Sequence, residues 1–98
     1  YDSFLAVAQV FEDTGVRAYK GQAGNLISNN DVLTAALNIH SVEARHAAYI
    51  RDLISNGSFA DNTVIDMNGL DTSRMPSEVL AAAGAYIKTK INGANLPV

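Results

Sequence analysis

The sequence predicts an all-α chain, an antiparallel helical hairpin followed by a shorter third helix. Three observations predict it. Apolar or small residues recur at alternating steps of three and four over residues 3–28 and again over 32–55, the spacing of one helix face. Much of the 48% apolar content is alanine, the best helix former. A short polar break, SNND, separates the two periodic segments, and helices joined so tightly pack antiparallel. A chain of 98 residues is one small domain at most.

The first helix is expected over residues 3–28, with Ser3 as its cap. Its seam reads Leu5, Ala8, Glu12, Gly15, Tyr19, Gln22 and Leu26. Gly15, Gly21 and Gly24 each weaken an isolated helix by about 1 kcal/mol relative to Ala. Close approach of another backbone is the expected compensation. Asn30 or Asp31 can cap the second helix, and Gly57 suits a left-handed stop after it. Its seam is Val32, Ala36, Ile39, Glu43, His46, Ile50 and Leu53. The hairpin thus spans residues 3–55. Residues 56–75 are rich in Asn, Asp, Gly and Ser and read as a long loop that packs over the helices or carries a function. Pro76 opens the third helix, expected over 76–91, with Glu78 at its positive end.

Composition excludes several function classes. Net charge is −3 with seven Lys plus Arg and no basic run, which argues against a nucleic-acid surface. There are no cysteines, so disulfides and thiolate sites are absent. No apolar run reaches the length of a membrane span. The chain begins at Tyr1 rather than Met and reads as part of a longer protein, so a targeting segment would lie upstream and the compartment stays open. The glycines follow no strand and form no phosphate-cradling fingerprint. Ser41 lies on a helix face without the strained turn of a hydrolase nucleophile.

Three polar residues interrupt the seams. Glu43 and His46 lie i, i+3 on the second helix and point to one side. Glu12 lies about 17 residues before the hairpin turn and His46 about 16 after it. Both are then on the order of 25 Å from the turn, at similar height. Unpaired buried carboxylates are costly, and two that face one another raise each other's pKa. A divalent cation neutralises both, and carboxylate with imidazole suits iron, manganese or zinc. The competing reading of E-x-x-H is a solvated polar pair, since that spacing is common by chance.

The stretches FEDTGVRAYKGQAG and LNIHSVEARHAAYIR resemble the ferritin-like domain family that includes the desiccation-related proteins. SEVLAAAGAYI is similar to that family's C-terminal segment. The resemblance implies a four-helix bundle with a dinuclear metal centre, iron first. Glu12 would match the third-helix Glu, and Glu43 with His46 the fourth-helix Glu-x-x-His pair. Glu43 would bridge or chelate and His46 would cap one metal. Nothing here matches the first two helices, so the chain resembles the second half of the bundle. The other half would come from a missing N-terminal segment of the same protein or from a second copy of the chain. Ferroxidase or oxygen- or peroxide-consuming activity in stress protection is the implied function. Its rival is a non-enzymatic structural or stress-related module whose site is empty or vestigial.

Five other residues and one triplet enter this reading. Tyr19 and His40 could stand beside the centre as polar neighbours, or serve as a core aromatic and a part-exposed polar group. Asp13 and Arg17, spaced i, i+4, read as a surface pair of small value. Arg45 reads as meeting solvent or a carboxylate on a neighbouring helix. Asn56-Gly57-Ser58 matches a glycosylation acceptor, a triplet common by chance.

Overall fold

The computed structural model describes residues 1–96. Helix α1 spans Asp2–Gln22 and tightens into a 3-10 turn at Ala23–Leu26. Helix α2 spans Asn30–Ile54, a second 3-10 turn covers Ser58–Ala60, and α3 spans Pro76–Gly84. Among the described residues there is no strand, only an isolated bridge between Ile65 and Asp71. The fold is the all-α hairpin with a short third helix that the periodicity predicts.

The helix ends differ in detail from expectation. Helix α1 starts at Asp2 without a side-chain cap, so Ser3 lies inside it. The weak helix formers Gly24 and Asn25 fall where the ladder switches to the tighter 3-10 pattern. Asn29, not Asn30 or Asp31, caps α2: its side chain accepts from the Val32 amide at 3.1 Å. Helix α2 stops instead at an extended Ser55, and the left-handed Gly57, φ 86°, opens the 3-10 turn that follows. At α3 the Met75 amide donates to the Glu78 carboxylate at 2.8 Å. This helix ends at Gly84 rather than near residue 91. Beyond it, turn bonds from the Tyr86 and Ile87 amides replace the helical ladder. Tyr86 packs against Phe11 of α1 instead, with ring centroids 5.0 Å apart and the planes tilted by 54°. Packing on α1 outweighs a further turn of helix.

Residues 56–75 are strapped to the hairpin rather than hanging from it. Arg17 donates to the Thr63 carbonyl at 2.6 Å, and Lys20 donates to the Asp71 carbonyl. The Arg74 amide donates to the Arg17 carbonyl at 3.1 Å. At Gly21 a Cβ would lie 2.1 Å from the Arg74 carbonyl oxygen, so only glycine lets the two backbones meet. The expected backbone approach is therefore found at Gly21. Gly24 faces open space.

Asp13 corrects the sequence reading. It is buried and pairs with Arg51 of α2, not with Arg17. Arg51 Nη2 and Nε donate to the two Asp13 carboxylate oxygens at 2.6–3.1 Å. Its Nη1 also donates to the Thr63 hydroxyl at 3.0 Å. A cavity of about 30 Å³ lies under this cluster, between α1, α2 and the loop.

The apolar core is thin. Among the described residues Leu5, Val16, Ala36, Ala47 and Val64 are its buried members. Phe4, Val7 and Phe11 of α1 and Val32, Ile39, Val42, Tyr49 and Leu53 of α2 remain exposed. Apart from Phe11, which meets Tyr86, they lie on the side that the hairpin, loop and α3 leave uncovered. Toward the hairpin turn it opens into an apolar groove of about 380 Å³, between Ala18, Tyr19 and Gln22 on α1 and Val32, Ala35 and Ile39 on α2. No helix among the described residues is long and apolar enough to cross a membrane.

Candidate metal centre

Antiparallel packing brings Glu12 of α1 beside Glu43 and His46 of α2. The similar heights counted from the turn are realised as contact: His46 Nδ1 lies 3.2 Å from Glu12 Oε2. Gly15, one turn further along α1, leaves room for Glu43. A Cβ there would sit 3.5 Å from the Glu43 carboxyl carbon, in ordinary contact. Glu43 thus lies flat against α1 and reaches back toward Glu12. One ligand atom from each of Glu12, Glu43 and His46 falls within 4.8 Å of the others.

The electrostatics match two carboxyl groups without a cation between them. The Glu43 carboxyl is raised above its ordinary value. Hydrogen bonding to Glu12 is the first cause, then burial, then the Glu12 charge, while His46 opposes the shift. Protonation of one carboxyl or a divalent cation between the two would each relieve the repulsion between like charges. Glu12 and Glu43 are half-buried and His46 is exposed. The donor set is two hard oxygens and one imidazole nitrogen, which fits iron, manganese or zinc.

Tyr19 and His40 lie toward the hairpin turn. Together with Lys20, Leu37, Leu70 and Asp71 they line a cavity of about 260 Å³ roofed by the loop. His40 Nε2 is buried there and has no hydrogen-bond partner among the described residues. Arg45 is exposed.

The ferritin-like domain family matches residues 1–56, which is α1, α2 and the turn after them. That is more than half of the chain. The chain belongs to the ferritin-like domain family. The match is to the family at large and does not single out the desiccation-related type. It also stops short of α3, so the similarity seen in SEVLAAAGAYI lies outside it. No curated protein and no solved structure matches the chain.

Sequence reasoning missed Asp13, Arg51 and Thr63. The i, i+4 spacing of Asp13 and Arg17 offered a nearer partner than the one across the hairpin. An aspartate beside Glu12 and an arginine on the facing helix were the available signal.

Proposed function

We propose that Glu12, Glu43 and His46 hold one divalent cation and form half of a dinuclear iron–carboxylate centre. The convergence of their ligand atoms within 4.8 Å carries this reading. The chain acts as a single partial ferritin-like domain, with hairpin 3–55, loop 56–75 and a C-terminal helical segment in 76–91. The uncovered face receives the other half of the bundle, either the N-terminal half of the same protein or a second copy.

Each residue has a definable task. Glu43 would present its carboxylate to the cation together with Glu12, and its raised pKa makes that binding favour higher pH. Glu12 also orients the His46 ring through Nδ1. Tyr19 and His40 are proposed as polar neighbours toward the hairpin turn. Iron bound at such a centre supplies oxidation of Fe(II) by oxygen or peroxide, which suits a role in stress protection. Manganese or zinc would fit the same donors without implying that turnover.

One observation favours a second reading. His46 is 56% exposed at its side chain and already pairs with Glu12. A non-enzymatic bundle module with a vestigial site would look the same.

Elemental analysis of the intact purified protein separates the two. Iron, manganese or zinc near one equivalent or more per chain is expected, with a lower melting temperature in Glu43→Ala. Metal at background, together with an unchanged or higher melting temperature in that variant, would sink the metal reading. Oxygen uptake on adding Fe(II) then distinguishes turnover from binding.

A further inference from the structure

The candidate centre occupies one flank of the α1–α2 interface, and a second polar cluster occupies the other. Successive residues on a helix point about 100° apart, so Glu12 and Asp13 leave α1 on different flanks. Arg51 lies five positions after His46, which turns it about 140° away. Glu12 therefore meets His46 on the open side of the hairpin. Asp13 meets Arg51 on the side the loop covers. Gly15 lies against Glu43 near the line between them.

The covered flank is the rigid one. The side chains of Arg51 and Asp13 are 8% and 10% exposed, and three N–H···O contacts of 2.6–3.1 Å join them. A guanidinium fork on a carboxylate fixes distance and angle together, which a single ammonium contact does not. Thr63 fastens the same guanidinium to the loop at 3.0 Å, and Asp61 stands 3.8 Å from it. On the open flank one 3.2 Å contact joins Glu12 and His46, and His46 is exposed. On that side fewer and more exposed side-chain bonds resist a roll of the helices by a few degrees. A roll about either helix axis separates Glu12 from His46 only if the Asp13–Arg51 fork opens or bends.

We propose that Asp13, Arg51 and Thr63 form a positioning clamp for the Glu12–Glu43–His46 cluster. The clamp sets the rotation of α1 against α2 at which the three ligand atoms converge, and it ties that rotation to the loop. Its consequence for cation binding rests on the metal reading above; its geometric part does not. Coupling of this kind is reciprocal, so a cation at the cluster tightens the loop at Thr63 as the loop tightens the cluster.

The test uses Arg51→Lys and Asp13→Asn in the intact protein, with Leu5→Ala as a control. Leu5 is buried near the start of α1, about two helical turns before Glu12, and belongs to neither cluster, so its truncation lowers stability without removing a member of either. Two readouts are taken. Nuclear Overhauser contacts between the His46 ring and the Glu12 side chain report convergence in metal-free protein. A Co(II) titration followed by visible absorption reports affinity. The native protein and Leu5→Ala should show the contacts and bind Co(II) equally. Arg51→Lys and Asp13→Asn should keep their helix content, lose the contacts and bind Co(II) about tenfold more weakly or worse. If either clamp variant fails to fold, Thr63→Val removes one bond to the guanidinium and should shift both readouts in the same direction, by less. Retained contacts in every folded clamp variant would overturn the clamp. So would equal losses in Leu5→Ala, because the role would then be stability alone. No Co(II) bound by native protein, with contacts still lost in the clamp variants, would refute the metal reading and leave the clamp standing.

Discussion

Glu43 is the residue at which the candidate site is most exposed to test without any metal. Its folded pKa lies above its unfolded one, because hydrogen bonding to Glu12, burial and the Glu12 charge all favour the protonated form. The sign follows from linkage: its contribution to stability is full below the unfolded value and is lost as pH rises through the raised one. Metal-free Glu43→Gln keeps the hydrogen bond and lacks the charge. Its melting temperature at pH 7 should exceed that of the native chain by about 3 °C, the equivalent of about 0.5 kcal/mol for a solvent-screened group. Below the usual carboxylate range the difference should vanish. A thermal melt of both proteins across pH checks this, and a Gln variant less stable at pH 7 would contradict the raised Glu43 pKa. The seam residues were legible in the sequence because a helix repeats every 3.6 residues, so Glu12, Glu43 and His46 could be placed on faces and heights by counting. Asp13 with Arg51 was not legible. A pair 38 residues apart competes with every nearer opposite charge, and Arg17 lay four residues away.

Helices α1 and α2 were readable as elements for the same reason, while their ends were decided by single bonds. Asn29 took the cap that Asn30 or Asp31 could have provided, and Tyr86 left the helical path for contact with Phe11. The loop was least readable, since its path follows partners on α1 and α2 rather than a period of its own. Gly21 is its tightest point. Gly21→Ala would push a methyl group against the Arg74 carbonyl, where overpacking costs about 1–3 kcal/mol. Gly15→Ala meets Glu43 only at ordinary contact distance, and its helix propensity gains about 1 kcal/mol. Denaturant melts should therefore move in opposite directions for the two variants, and a Gly21→Ala protein as stable as native would refute the close approach. Acid provides a second probe of the loop. Asp61 is held below its ordinary value chiefly by the Thr63 hydroxyl, and Asp66 chiefly by the Leu70 amide, then that of Asn68. Stability that they contribute is present above the unfolded carboxylate value and lost as pH falls through the lowered values. Amide protection at Thr63, Asn68 and Leu70 should decline in acid before that of the helix interiors.

At the scale of the molecule, surface area shows how much is uncovered. The accessible surface is 6794 Å², whereas a compact monomer of 10.4 kDa exposes about 5,400 Å². The radius of gyration, 14.1 Å, also exceeds the ~12.6 Å of a compact chain this size. The excess area is on the order of what one partner contributes to a stable interface, or more. Isolated chain should therefore associate in a concentration-dependent manner, and Ile39→Lys on the open face should suppress association while leaving helix content intact. Sedimentation velocity checks both, and a native chain that stays monomeric at high concentration would count against the need for a partner surface. The opposite side of the hairpin has a different logic. Arg17 and Lys20 grip the loop by the carbonyls of Thr63 and Asp71, and Gly21 receives the backbone of Arg74. Carbonyl oxygens are the same whatever side chain follows them. Related chains can therefore rewrite most of this loop while it keeps its course, provided its length is preserved and the helices keep their grip. Drift in spelling with constancy of path is what a segment fastened by its main chain permits.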